Sequence, residues 1–166
     1  QLEGMEHSTR QAWRAAHRTI SQSDRPVVAW EDVAISWIKE GQWSLAVLAL
    51  RELLTVAPGN ISAGLRLALL YTHIAEPVAA EEAYREVLVK DPTQLMALNN
   101  LGSLMMRGHR YAEAVPFYEK ARAIRPTDVD IGLNLAHAYS RNGDMVRARA
   151  CFASFAELSD LDPRIP

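Results

Sequence analysis

Three side chains that can bind another chain recur at one spacing. Arg66, Asn100 and Asn134 follow one another at equal intervals along the sequence. A side-chain amide both donates and accepts hydrogen bonds, so it can pair with the backbone of an extended peptide of any sequence. A guanidinium can pair with a carboxylate through two parallel hydrogen bonds. These side chains have groups that could bind another chain, and a plain solvated surface position is the alternative for each asparagine.

Residue combinations that support catalysis or metal binding are missing from the sequence. There is no glycine-rich phosphate loop, no His-Glu-x-x-His pattern and no cysteine pair at metal-ligand spacing. The five histidines never pair at i, i+4, and Cys151 lies in an apolar stretch typical of a small core residue. We therefore predict a protein that is not an enzyme, without catalytic residues, a metal site or a cofactor.

The same interval recurs through most of the chain. Written in rows of 34 from Val27, the sequence aligns with itself four times, so each residue has a place in its row. Place 20 is always alanine, place eight is small, and place 32 is proline in the first three rows. The residues at place 20 are Ala46, Ala80, Ala114 and Ala148. Those at place eight are Ala34, Ala68, Gly102 and Ala136, and those at place 32 are Pro58, Pro92 and Pro126. Such a period indicates repeated units that bury their apolar faces against one another.

Each row has the pattern of two helices. The first apolar stripe of row one, at i, i+3, i+4 and i+7, consists of Trp30, Val33, Ala34 and Trp37. Gly41 interrupts this stripe, and a second stripe follows before the turn at residues 57–60. Small residues at places eight and 20 would let the two helix backbones approach closely.

The third row resembles a known family, the tetratricopeptide repeat. The segments that carry the resemblance are Leu98-Asn99-Asn100-Leu101-Gly102, Tyr111-Ala112-Glu113-Ala114, Phe117-Tyr118-Glu119-Lys120-Ala121 and Pro126. The resemblance covers residues 27–162 and implies an all-α fold, a right-handed α–α superhelix (solenoid) of four helix hairpins with a short N-terminal helix. The last row departs from the family pattern, because Asp160 stands where proline is expected.

The resemblance and the register together give the expected organisation of the chain. We predict an N-terminal tail and short amphipathic helix at residues 1–26, repeats at 27–60, 61–94, 95–128 and 129–162, and a C-terminal tail at 163–166. Trp13 is expected to cover the open end of row one. A basic helix that meets a membrane surface or nucleic acid is the alternative, which the net charge of −2 disfavours.

In the family, the first helices of the hairpins line a concave groove. By resemblance, the groove of this chain is lined by Leu65, Arg66, Leu69, Asn99, Asn100, Ser103, Leu133, Asn134 and His137. Asparagine at place six often holds a ligand's backbone in the family. The family's clamp for two carboxylates needs lysine and asparagine where this chain has Glu31 and Ile35. We therefore predict a ligand with apolar anchors rather than a highly charged chaperone tail.

The last predicted helix, at about residues 145–159, is apolar on most of its sides. Phe152 and Phe155 would expose an apolar surface there, and such surfaces usually mark an interface. A following repeat, another domain or a second copy is expected to pack there. For the chain taken alone we predict a second copy, with a two-fold homodimer as the commonest arrangement.

Composition fits one ordinary domain, with 49% hydrophobic residues and no apolar run of the ~18 residues that a membrane span needs. The chain begins at Gln1, so a removed signal or anchor is compatible with it, and both cytoplasm and periplasm stay open. Arginine outnumbers lysine by fifteen to three, which suggests a bacterial genome rich in GC.

The function predicted from the sequence is a non-enzymatic scaffold that binds a peptide or protein partner in its concave groove. Assembly of a bacterial multiprotein complex, of the secretion, pilus or envelope type, is the expected role. Two alternatives stay open: the substrate-recognition arm of a larger enzyme, such as a transferase, and a self-associating solenoid.

Overall fold

The chain is helical throughout the part that the structure describes. This computed structural model describes the backbone of residues 6–161 and the side chains of residues 6–154. Within that range there are nine helices and no strand. They are α1 (His7–Ile20), α2 (Pro26–Lys39), α3 (Trp43–Val56), α4 (Ile61–His73), α5 (Pro77–Lys90), α6 (Leu95–Arg107), α7 (Tyr111–Ile124), α8 (Val129–Arg141) and α9 (Met145–Leu161). The predicted all-α class is confirmed.

The period of the sequence sets where the helices begin. Helices α4, α6 and α8 begin at Ile61, Leu95 and Val129, which share place one. The side chain of the preceding residue caps each of these helices, accepting a hydrogen bond from a backbone N–H of the first turn. These caps are Asn60 to Ala63 at 2.9 Å, Gln94 to Met96 at 3.4 Å and Asp128 to Ile131 at 3.2 Å. An N-cap oxygen satisfies one of the donors that a helix start leaves open. Asn60 therefore has a structural role as the N-cap of α4.

The turn inside each hairpin repeats the same backbone conformation. Place 15 has a left-handed φ in all four rows, at Gly41 (71°), Ala75 (59°), His109 (58°) and Gly143 (86°). The N–H of the following residue then reaches back to a carbonyl five residues earlier, as in Gln42 to Trp37 at 2.8 Å. This arrangement is the Schellman motif at the C-terminus of a helix. Glycine suits its left-handed position because glycine has no Cβ.

Replacing Ala75 by glycine is expected to stabilise the protein by up to about 1 kcal/mol, since a left-handed conformation is strained for alanine. The matched reverse change is Gly143→Ala, where an added Cβ meets nothing within 4 Å, so any cost comes from the backbone. The urea concentration at the unfolding midpoint should be higher than the parent's for Ala75→Gly and lower than the parent's for Gly143→Ala. Equal midpoints for both variants and the parent would contradict the assigned conformations.

The chain divides into two compact units, and the division falls within α5, between Ala83 and Tyr84. In the first unit (unit one), α2 packs on α3, α3 on α4, and α1 on α2. Trp13 of α1 is buried and stacks on Trp30 of α2, with ring centroids 5.3 Å apart. Trp13 thus contributes to the core of the first hairpin, as expected from the sequence.

In the second unit (unit two), α6 packs on α7, α7 on α8, and α8 on α9, and α6 also meets α8. Packing is tight at Gly102 of α6, where an added Cβ would come within 2.8 Å of the Tyr118 ring. The alanines of place 20 are all buried to 1% exposure or less. The small residues at places eight and 20 therefore stand at helix contacts, as the period indicated.

Candidate functional site

The side chains predicted to bind a ligand lie on the first helices of the hairpins, and each unit carries part of them. Leu65, Arg66 and Leu69 belong to α4 in unit one. In unit two, Asn99, Asn100 and Ser103 belong to α6, and Leu133, Asn134 and His137 belong to α8. The surface formed by Asn99, Asn100, Ser103 and Asn134 is called the amide face below.

Two asparagines of the amide face bond to each other. The Nδ2 of Asn134 donates to the Oδ1 of Asn99 at 3.0 Å, which joins α8 to α6. This bond uses one of the two N–H groups of Asn134 and fixes the direction of its amide. The Oδ1 of Asn134 accepts a hydrogen bond from no residue in the described part of the chain. Asn134 thus keeps one donor and its acceptor for a ligand.

Asn100 differs from Asn134 in having no internal partner. It is half-buried, and its amide makes no hydrogen bond to any residue among those described. Both N–H groups and the oxygen are therefore left for solvent or for a ligand. The two place-six asparagines are thus not equivalent.

Ser103 makes two contacts within the protein, and its predicted role in binding a ligand stays a prediction. Its hydroxyl donates to the backbone oxygen of Asn99 at 3.0 Å and lies 2.9 Å from the hydroxyl of Tyr118. Either hydroxyl can be the donor in the contact between Ser103 and Tyr118. Burial raises the pKa of Tyr118, partly offset by the Ser103 hydrogen bond and the charge of Arg107. Tyr118 therefore stays protonated and holds Ser103 in place.

Apolar side chains border the amide face. Met96 is 51% exposed and Leu133 is half-buried. His137 is exposed, and its ring meets the edge of Phe152 on α9 at a centroid distance of 6.0 Å. A ligand on this face would meet two amides and neighbouring apolar groups.

Unit one carries a pocket of about 340 Å³, called the Trp43 pocket below. It is lined by Ile38, Trp43, Arg66, Leu69, Leu70 and His73. The sequence predicted Arg66 and Leu69 as binding residues but missed Trp43, which begins α3. The available signal was the aromatic residue at place 17, which recurs as Tyr111 beneath the guanidinium of Arg141 at 5.9 Å. Leu65 is half-buried on the same helix as Arg66.

Two titratable groups outside these two surfaces, the thiol of Cys151 and the hydroxyl of Tyr139, have raised pKa values. Burial raises the pKa of the Cys151 thiol, which Arg122 partly opposes, so the thiol is a poor nucleophile at neutral pH. Burial, then the hydrogen bond and charge of Glu119, raise the pKa of Tyr139 to about 12. Tyr139 donates to Glu119 at 2.6 Å and so ties α8 to α7.

Across residues 6–154, no three histidine, cysteine or acidic side chains gather as a metal site would require. No helix in the described residues is both long and apolar enough to cross a membrane.

The C-terminal helix has an exposed apolar side in its described part. Phe152 is 41% exposed, and Met145 and Val146 are exposed as well. The side chain of Phe155 lies outside the described residues. Self-association through this helix stays a prediction.

Known proteins are similar to parts of this chain in sequence. A family model described as tetratricopeptide repeat matches residues 105–165. The type IV pilus assembly protein PilF of Pseudomonas aeruginosa is 30% identical over 97 residues, which are 58% of this chain and 38% of that protein. The tetratricopeptide repeat protein 21B of Xenopus laevis is 38% identical over 79 residues, 47% of this chain and 6% of that protein. The chain therefore spans well under half the length of either relative.

A solved structure extends the likeness of fold over most of the chain. The crystal structure of MamA protein matches with a TM-score of 0.75, covering 92% of this chain and 84% of that one. Its sequence is 19% identical, so this match speaks for the fold alone.

Proposed function

We propose that this chain, which is a tetratricopeptide-repeat protein, binds an extended segment of a partner protein on the amide face. The tetratricopeptide-repeat fold serves as a protein-interaction scaffold. One observation carries the proposal. Asn134 is fixed by its bond to Asn99, and the half-buried Asn100 has no internal partner among the described residues. Two amides with unused donors and acceptors therefore stand on neighbouring helices of unit two.

The amide face suits a peptide backbone because it offers both hydrogen-bond donors and hydrogen-bond acceptors. An extended segment offers a C=O and an N–H at each residue, and an asparagine side chain can satisfy one of each. Because the bond from Asn99 already orients Asn134, less side-chain freedom is lost when a ligand binds. Met96 and Leu133 beside the amides add apolar contacts for the ligand's side chains.

The partner is proposed to belong to a bacterial multiprotein assembly, of the pilus, secretion or envelope type. The similarity to a relative named as a pilus assembly protein supports this choice. The high ratio of arginine to lysine agrees with a bacterial source. The proposed role is non-enzymatic: the protein holds one component of the assembly in position for another.

Peptide selection tests the amide face directly. Random peptides displayed on phage would be selected for binding to the parent protein, and the affinity of the best peptide would be measured for the variants. Asn100→Ala and Asn134→Ala combined should lower the affinity about tenfold, since each lost hydrogen bond is worth roughly 0.5–1.5 kcal/mol. Asn142→Ala, an exposed asparagine in the turn after α8, is the matched control and should bind like the parent.

Thermal melting followed by circular dichroism would verify that the double variant is folded. If the folded double variant binds the peptide as tightly as Asn142→Ala does, the amide face is not the binding site. The sequences of the selected peptides would also indicate which component of an assembly is bound.

A further inference from the structure

The Trp43 pocket has the size and lining of a site for one apolar side chain. Ile38 comes from the end of α2, Trp43 from the start of α3, and the other lining residues from α4. Its volume of about 340 Å³ is at the lower end of the range of small-ligand sites. An aromatic or long aliphatic side chain fits such a space, whereas a large cofactor does not.

Two large apolar side chains of this pocket are open to solvent. Trp43 is 36% exposed and Leu69 is 40% exposed. The ring of His73 meets the indole nearly edge-on, at a centroid distance of 4.6 Å and an angle of 62°. This contact supports the indole on one side, and the indole N–H bonds to no residue of the described chain. An aromatic ring held in this way loses little freedom when a ligand covers it.

The charge of the pocket is positive on one side. Arg66 is exposed and forms no ion pair with any residue between 6 and 154. No aspartate or glutamate is among the lining residues. A guanidinium with no acidic partner among the described residues, beside an apolar pocket, complements a ligand that has a carboxylate next to an apolar group.

From this complementarity we infer that the Trp43 pocket holds an aromatic or long aliphatic side chain of the partner protein whose neighbouring residue is acidic, with the acidic carboxylate paired to Arg66. The inference rests on the proposed function in its general form, the binding of a protein segment. It adds a second contact, in unit one, that selects for sequence, whereas the amides of unit two contact the backbone of any sequence.

Two blocked dipeptides that differ in one charge test the inference. The probes are acetyl-Phe-Glu-amide and acetyl-Phe-Gln-amide, added to the ¹⁵N-labelled full chain. The indole N–H resonance of Trp43, assigned by its loss in Trp43→Phe, should move on titration, while the resonances of the buried Trp13 and Trp30 stay in place. The acidic peptide should bind up to about fivefold more tightly than the neutral one, as an exposed ion pair allows.

A pair of arginine variants isolates the charge effect. Arg66→Gln should make the two peptides bind equally, whereas Arg51→Gln, an exposed arginine of α3 outside the pocket, should keep the preference for the acidic peptide. Leu69→Ser should weaken both peptides alike. Equal binding of the two peptides to the parent, or a preference that survives in Arg66→Gln, would overturn the inference.

Failure of this inference differs from failure of the proposed function. If the dipeptides leave the Trp43 resonance unmoved while selected peptides still bind through Asn100 and Asn134, only the Trp43 pocket is excluded. If the selected peptides also bind the Asn100→Ala and Asn134→Ala double variant as tightly as the parent, the proposed function fails as well.

Discussion

Tyr118→Ala is expected to lower the free energy of unfolding by about 3–5 kcal/mol, the range typical of removing a buried aromatic ring. The ring is 2% exposed and lies directly beneath Gly102, so its loss would leave a cavity between α6 and α7. The change also removes the hydroxyl that holds Ser103. The measurement is urea unfolding followed by circular dichroism.

Tyr118→Phe is the matched control, since it keeps the ring and removes only the hydrogen bond to Ser103. Its expected cost is about 0.5–1.5 kcal/mol. If Tyr118→Ala is no more costly than Tyr118→Phe, the ring does not contribute to the core as described.

Ala114→Leu is expected to destabilise the protein by about 1–3 kcal/mol through overpacking. Ala114 is fully buried, at place 20, where α7 packs closely on its neighbours. The matched control is Ala112→Leu, two residues earlier on the same helix but exposed, which should change stability by less than about 0.5 kcal/mol. Similar unfolding midpoints for the two variants would show that the buried face of α7 is wrongly assigned.

Much of the fold could be predicted because the small residues that let helices pack closely recur at the same places in every row. Alanine at place 20 and small residues at place eight indicated the closest helix contacts, and these residues are buried. The left-handed turn at place 15 was visible only at Gly41 and Gly143, because Ala75 and His109 adopt the same conformation without the glycine that signals it. The N-caps at place 34 were missed, because Asn60, Gln94 and Asp128 share no residue type.

The helices that carry the candidate residues could be predicted from the sequence, but the contacts of those residues could not. Asn100 and Asn134 at place six lie half-buried on the first helices of their hairpins, and their binding of a ligand stays a prediction. The bond between Asn134 and Asn99 depends on how α8 is placed against α6, and that placement results from packing over the whole unit. Trp43 was missed for a similar reason, since its place at the start of α3 becomes part of a pocket only when α4 packs beside it.

The side-chain amide resonances of Asn100 and Asn134 report most directly on whether a ligand backbone binds the amide face. They would be followed by ¹H–¹⁵N spectroscopy during titration with a peptide selected on the parent protein. We expect both amides to shift with one shared midpoint, equal to the dissociation constant of the peptide, while the amide of the exposed Asn142 stays unmoved. A peptide that binds and leaves Asn100 and Asn134 unmoved would contradict the account.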